Sequence, residues 1–355
     1  MNLWIMPGNA SGWGVDFNQF YAASHLAGTG HLYDWDALRK LEAEHGLEVR
    51  TGRLPVVSYG MKALGWLPYN TARAIWLGAG LAALIVFVAI WPGMNRMAAA
   101  VALSWSMPAA LLLLLGQDTP FWLMFCAIGL LLLKKGSPKL AGLAFALCIC
   151  KFHLALGIPI FLIFQKRWKT LWSGAAAVGV LLAACFLIEG PMWPWRYLDA
   201  VSNPHFSPAH QRMPNLHGLS VWLPHPAAFE LAGALALVWL LGLLCRRTRD
   251  LGMTGAAVAA AGLLLGRHGY ANDCALLIPI AVLTIQRREA PVWLKGWGMV
   301  LLSPLPTLLL LSQKPYFGQL LIVGFAICAI QAAGRSGIAD ARDAKDECAA
   351  SVSAI

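Results

Sequence analysis

The sequence predicts an all-α polytopic membrane protein, and three observations carry that prediction. Of 355 residues, 59% are hydrophobic and 12% charged, with a mean hydropathy of +0.62; soluble domains carry about 25% charged residues. Ten apolar runs follow one another between residues 75 and 334. Basic clusters fall between those runs rather than on one soluble face. Composition thus excludes an ordinary globular protein. It also excludes a disordered chain, because this much apolar surface more than offsets the entropy of ordering it. The net charge of +10 would indicate nucleic acid only if it were gathered on one soluble surface; spread between apolar runs, it orients the spans.

Residues 1–72 are mixed and polar, hold no spanning segment, and form an expected outer-face region of short helices. Residues 1–15 lack the basic start of a signal peptide, and Asn9-Ala10-Ser11 is read as a chance sequon. Asp16 is expected to cap a helix with Gln19 at its third position and Gly28 at its end. Asp34 is expected to cap a second helix over 35–45, ending at Gly46. The apolar runs lie at 75–92, 98–115, 119–133, 139–165, 170–188, 228–245, 252–266, 272–286, 296–311 and 317–334. Together they predict a transmembrane bundle over 73–334 with an outer loop at 189–227. From Arg335 to Ile355 the chain is polar, Ala/Ser-rich and alternating in charge, and is expected to be a disordered cytoplasmic tail. Seven of the eight cysteines lie in or beside the runs and read as small core hydrophobes.

Lys134-Lys135, Lys166-Arg167, Arg246-Arg247 and Arg287-Arg288 should face the cytoplasm. The run 139–165 has basic residues at both ends, so one crossing would strand a cluster outside. Two short antiparallel pieces, 139–150 and 153–165, turning at Lys151-Phe152-His153 near the outer face, remove that conflict. Each is too short for a full span, which implies a protein-lined cavity there. The count becomes 10–11 membrane segments. Residues 1–72, Gly116 to Asp118, Lys151 to His153, 189–227, Arg267 to Asp273 and Ser312 to Tyr316 then share the outer face.

Chemistry is sought among the polar residues on that face. Asp16 is a carboxylate at the membrane edge, able to take a proton from an acceptor hydroxyl; the competing reading is a plain helix cap. Lys151, inside the most apolar stretch, either snorkels to the headgroups or meets an anion such as a lipid phosphate. The outer loops add Trp193, Tyr197, His205, His210, Asn215, His217, Trp222, Arg267, His268, Tyr270, Asn272 and Asp273. Their aromatic residues double as interfacial anchors, and the histidines lack metal-ligand spacing. No nucleotide-binding fingerprint is found, so an activated group must arrive in the membrane or from outside.

The ordered motifs resemble glycosyltransferase family 87, membrane enzymes of the GT-C type. They are Asp16-Phe17 with Phe20-Tyr21, Gly28 and Tyr33-Asp34; Leu54-Pro55; Leu67-Pro68-Tyr69 before Trp76; and Gly116-Gln117. Further on come Ala141-Gly142-Leu143 leading to Lys151, Asn215-Leu216-His217-Gly218, and His268-Gly269-Tyr270-Ala271-Asn272-Asp273. The resemblance implies a GT-C-like helical bundle that transfers a sugar, often mannose or another hexose, with inversion. The donor would be a polyprenyl-phosphate sugar and the acceptor a lipid or glycan, with no metal or other cofactor and no nucleic acid. It implies Asp16 as general base, and Lys151, Arg267 and His268 as donor-phosphate ligands. Substrate contacts would fall to Tyr21, Tyr33, Gln117, His153, Asn215, His217, Tyr270 and Asp273. A bacterial inner membrane, with the active face periplasmic, is the implied location. It also implies a spanning helix ahead of the Asp-Phe motif, for which fifteen residues are too few. Phe152 stands where relatives often carry Pro, and His217 where a small polar residue is common. The competing function is a transporter or flippase of a lipid-linked or anionic substrate, which would hold Lys151 near the bilayer midplane.

Overall fold

The computed structural model describes residues 16–44, 51–202 and 210–353, with backbone alone beyond Arg335. Asn9-Ala10-Ser11, Gly46 and His205 lie outside the described residues. No β-strand occurs among those described. Four short helices open the chain: α1 (Phe17–Leu26), α2 (Trp35–Ala43), α3 (Pro55–Gly60) and α4 (Lys62–Gly65). Asp34 caps α2 as expected, its Oδ1 accepting from the amides of Asp36 and Ala37 at 3.0 and 3.3 Å. Those amides, Ala37 foremost, hold its carboxyl below the usual carboxylate range.

The apolar runs become α5 (Tyr69–Ile90), α6 (Arg96–Trp105), α7 (Met107–Leu115), α8 (Thr119–Lys134), α9 (Pro138–Ala146), α10 (Gly157–Phe164) and α11 (Trp168–Glu189). After α12 (Trp193–Ser202) and α13 (Leu216–Ser220) come α14 (Pro226–Arg247), α15 (Leu251–Leu265) and α16 (Ile278–Gln286). The chain closes with α17 (Val292–Leu302), α18 (Leu305–Leu311) and α19 (Tyr316–Ser353). Helices α5, α11, α14 and the Tyr316–Arg335 part of α19 are each long and apolar enough to cross a membrane. Two bent pairs, α6–α7 at 70° and α17–α18 at 60°, pass the same test when joined, and shorter apolar helices fill the interior. The chain is a multi-pass helical membrane protein. Helix α19 carries its backbone on through residues 335–353, the stretch expected to be a disordered tail.

Helix α15 is the hub. It is buried from Gly252 to Leu264, as a helix apolar on every side must be. Its small residues let neighbours approach closely. A Cβ on Gly262 would collide with the Leu154 carbonyl oxygen, so glycine is what admits the backbone of the 139–165 segment. That segment is broken as expected. Helix α9 runs into a 3₁₀ stretch (Leu147–Leu154) whose Lys151 leaves helical geometry at φ −130°, ψ 67°. Helix α10 then returns, bringing Phe161 edge-on to Phe145 with ring centres 6.5 Å apart.

Contacts sort the loops into two ends. At one, the Trp91 indole donates to the Gly252 carbonyl at 3.1 Å and Gln165 donates to the Thr248 carbonyl at 3.4 Å. Arg287 pairs with Asp250 at 2.7 Å, and Arg246 lies over the Phe164 ring. The basic clusters near 166, 246 and 287 thus share an end. At the other end meet Asp16, Gln117, Lys151, Tyr197, His268 and Asp273.

Candidate active site

Three helix beginnings converge at that second end. Asp16 precedes α1, Asp118 precedes α8, and Asp273 sits in the first turn of a 3₁₀ stretch (Ala271–Leu277) leading into α16. The partial positive charge of helix N-termini eases the gathering of three carboxylates. Neither Asp16 nor Asp118 caps its own helix. This corrects the expected capping box at Asp16. At φ −75°, ψ −14° its backbone is already helical, whereas a capping residue is extended so that its side chain can turn back on the helix amides. Instead the Asp16 carboxylate accepts a short hydrogen bond from Gln117 Nε2, while its own amide donates to the Leu115 carbonyl at 2.8 Å.

Lys151 is the centre of the cluster and is 2% exposed. Its ammonium donates to Gln117 Oε1 at 3.1 Å, Thr119 Oγ1 at 2.7 Å and Asp273 Oδ1 at 2.6 Å. Asp118 Oδ1 lies 3.4 Å away. The snorkelling alternative is therefore set aside, because three ammonium hydrogens meet three acceptors inside the protein. Arg53 pairs with Asp118, its Nη2 donating to Oδ1 at 3.0 Å and its Nε lying 2.9 Å from Oδ2. Asp273 also accepts from Thr119 Oγ1 at 2.8 Å and from the Tyr270 amide at 3.1 Å. Two carboxylates, Asp118 and Asp273, thus balance two cations, Lys151 and Arg53. Asp16 is the charge left over. It is half-buried, and burial raises its carboxyl above the usual range against the pull of Gln117, Lys151 and Arg53.

Other expected site residues divide. Tyr270 is exposed and close enough to Asp273 and Asp16 to feel their charge. His153 faces His268 edge-on, ring centres 6.4 Å apart. Arg267 is exposed beside His268. Burial, with neighbouring His210, His217 and Arg267, holds His268 below the ordinary imidazole range. His217 binds Glu230 at 2.7 Å and His210 at 3.0 Å, a histidine contact that sequence spacing did not reveal. Three others are hydrogen-bonded to backbone groups of the fold. Tyr21 donates to the Leu67 carbonyl at 2.8 Å within an aromatic cluster with Phe17 and Tyr69. Tyr33 donates to the Arg53 carbonyl at 2.8 Å. Asn215 is buried, accepting from the Gly218 amide and donating to the Gly266 carbonyl at 2.6 Å. The sequence reading did not single out Asp118, Arg53 or Thr119. Asp118 directly follows Gln117, and its place between two apolar runs was the available signal. Among the described residues, no group of three or more His, Cys, Asp or Glu side chains is arranged to hold a metal ion.

Beside the Lys151 turn lies an apolar groove of about 620 Å³ between the α9–α10 hairpin, α11 and α12. Phe152, Leu156, Val178, Leu182, Trp193 and Tyr197 line it, with Leu54 at its edge. Tyr197 stacks edge-on against Tyr33 with ring centres 5.6 Å apart, so the groove ends next to Arg53.

No curated protein and no solved structure matches the chain. Comparison with protein families matches residues 55–266 to glycosyltransferase family 87. The matched span includes Gln117, Asp118, Lys151, His153, Asn215 and His217; Asp16 and residues from Arg267 onward lie outside it. A match over more than half the chain, on a polytopic helical bundle, assigns the protein to glycosyltransferase family 87, as a membrane glycosyltransferase.

Proposed function

We propose that this glycosyltransferase moves a hexose, such as mannose, from a polyprenyl-phosphate donor to a hydroxyl of a lipid or glycan acceptor, with Asp16 as general base. The observation that supports this most is the Asp16 carboxylate itself. It is released from helix capping, half-buried, and joined to a charge-balanced cluster at one end of the bundle. In the transfer the acceptor oxygen attacks the anomeric carbon as its proton passes to Asp16. The carbon–oxygen bond to phosphate breaks with its electron pair leaving on the phosphate, and attack from the opposite side inverts the anomeric centre. Arg267 offsets the charge developing on that phosphate, and His268, as a neutral imidazole, donates a hydrogen bond to it. Lys151, its hydrogens already engaged, acts on the cluster rather than on the donor. Tyr270 and His153 border the sugar. The apolar groove suits the polyprenyl chain, whose isoprene units need apolar walls and no polar partner.

Purified protein reconstituted with a polyprenyl-phosphate hexose and a lipid extract tests the reading. Asp16→Asn, which keeps the shape and removes the basicity, is expected to lower transfer by at least ~100-fold while donor binding persists. Undiminished transfer would sink the assignment. Val178→Trp, which fills the groove, is expected to raise KM for a long-chain donor more than for a short-chain analogue.

A further inference from the structure

We infer that Gln117 is a positioning residue for the base, an uncharged spacer that holds the Asp16 carboxylate and keeps the Lys151 ammonium from pairing with it directly. The inference rests on the reading of Asp16 as base and adds how that base is kept basic.

Chemistry fixes the orientation of the Gln117 amide. An ammonium can only donate, so the atom facing Lys151 Nζ at 3.1 Å is the acceptor Oε1. Nε2 then necessarily points the other way, and there it meets Asp16. The amide cannot flip without setting Nε2 hydrogens against the ammonium and Oε1 against the carboxylate. Its backbone is equally constrained. Gly116, at φ +71°, ends α7 in the left-handed conformation. The Gly116 and Gln117 amides return to the Leu113 and Leu112 carbonyls at 3.2 and 2.9 Å, the paired bonds of a Schellman ending. Helix α8 begins two residues later, so Gln117 is clamped between two helix ends.

The spacer matters because of what stands behind it. Lys151 has Asp118 and Asp273 as its own counter-ions, and Arg53 has Asp118. Asp16 is faced by Lys151 from the hairpin, Arg53 from the loop before α3, Asp118 from the start of α8 and Tyr270 from the outer loop. An ammonium in direct contact would favour the ionised carboxylate strongly and make it a poor proton acceptor. A neutral amide supplies one hydrogen bond and fixes direction instead. When the acceptor proton moves to Asp16, Gln117 keeps both of its own hydrogens.

The test is the pH dependence of kcat/KM for transfer from a polyprenyl-phosphate hexose to a membrane lipid extract, measured on the full chain. Wild type is expected to lose activity on acidification at a pH above the ordinary carboxylate range. Gln117→Ala removes the spacer and lets the Lys151 ammonium approach Asp16, and is expected to move this acid limb to lower pH by about one unit, whereas loss of a hydrogen bond alone would move it to higher pH. Gln117→Glu keeps the side-chain volume and sets an anion against Asp16, so here the limb is expected to move to higher pH. An acid limb in Gln117→Ala at the wild-type position or above it, whatever the fall in rate, would overturn the spacer role and leave the base reading standing. Transfer by Asp16→Asn with wild-type efficiency would overturn the base reading itself.

Discussion

Asp16 occupies a position that sequence grammar assigns to helix capping, and its backbone angles decide against that role. The same holds for Asp118, where the carboxylate goes to Arg53 and Lys151. Each of these charges is costly alone and tolerable only in company. Lys151→Met would leave Asp118 and Asp273 buried with half their cationic balance gone. It is expected to cost about 3–5 kcal/mol of stability, read as a lowered melting temperature in detergent. Adding Asp273→Asn to Lys151→Met should recover part of that loss, because the stranded charge is removed with its partner. For activity the sign at Asp16 is equally definite. Burial raises its pKa, so the protonated, inactive form gains as pH falls, and transfer declines on acidification and recovers on return to neutral pH.

At the level of elements, the hairpin is held by close backbone approach more than by side-chain chemistry. Gly262 of α15 leaves room for the Leu154 carbonyl, and Gly142 of α9 leaves room for the Thr170 carbonyl of α11, 2.5 Å from where a Cβ would stand. Gly262→Val is therefore expected to displace the turn that carries Lys151, lowering both melting temperature and transfer. Around Gly78 on α5, nothing lies within 4 Å of where a Cβ would stand, and Gly78→Ala should leave both unchanged. The pair separates a packing requirement from a general intolerance of substitution.

For the molecule as a whole, the positive-inside pattern and the structure make one joint prediction. In a cysteine-free background, Thr29→Cys should react with an impermeant maleimide on intact cells, and Arg288→Cys only after permeabilisation. Labelling of Arg288→Cys from outside would reverse the orientation. Much of this architecture was legible in the sequence, because apolar runs and basic clusters obey bilayer physics residue by residue. The break at Lys151 was legible too, since one crossing could not satisfy the charges flanking 139–165. Pairings across the cluster were not. Arg53 and Asp118 are 65 positions apart, and Lys151 and Asp273 are 122 apart; no local periodicity encodes such partners. Asp16 was found for its residue type and motif, whereas its freedom from capping required backbone angles. Tyr21 and Asn215 were found by motif, whereas their hydrogen bonds to the Leu67 and Gly266 carbonyls were not legible.

The short hairpin has a further consequence, which concerns depth. From Pro138 to Lys151, nine α-helical residues at about 1.5 Å each and five 3₁₀ residues at about 2.0 Å each rise roughly 24 Å, short of a hydrocarbon layer about 30 Å thick. On the proposed orientation, Lys151 and the carboxylate one glutamine away lie beneath the plane of the headgroups. A hydroxyl must descend to that level to react. One carried on a lipid is already there, while a freely dissolved sugar would have to shed its water to follow. Selection for a lipid-borne acceptor would then come from where the reaction happens, before any side chain has touched the acceptor.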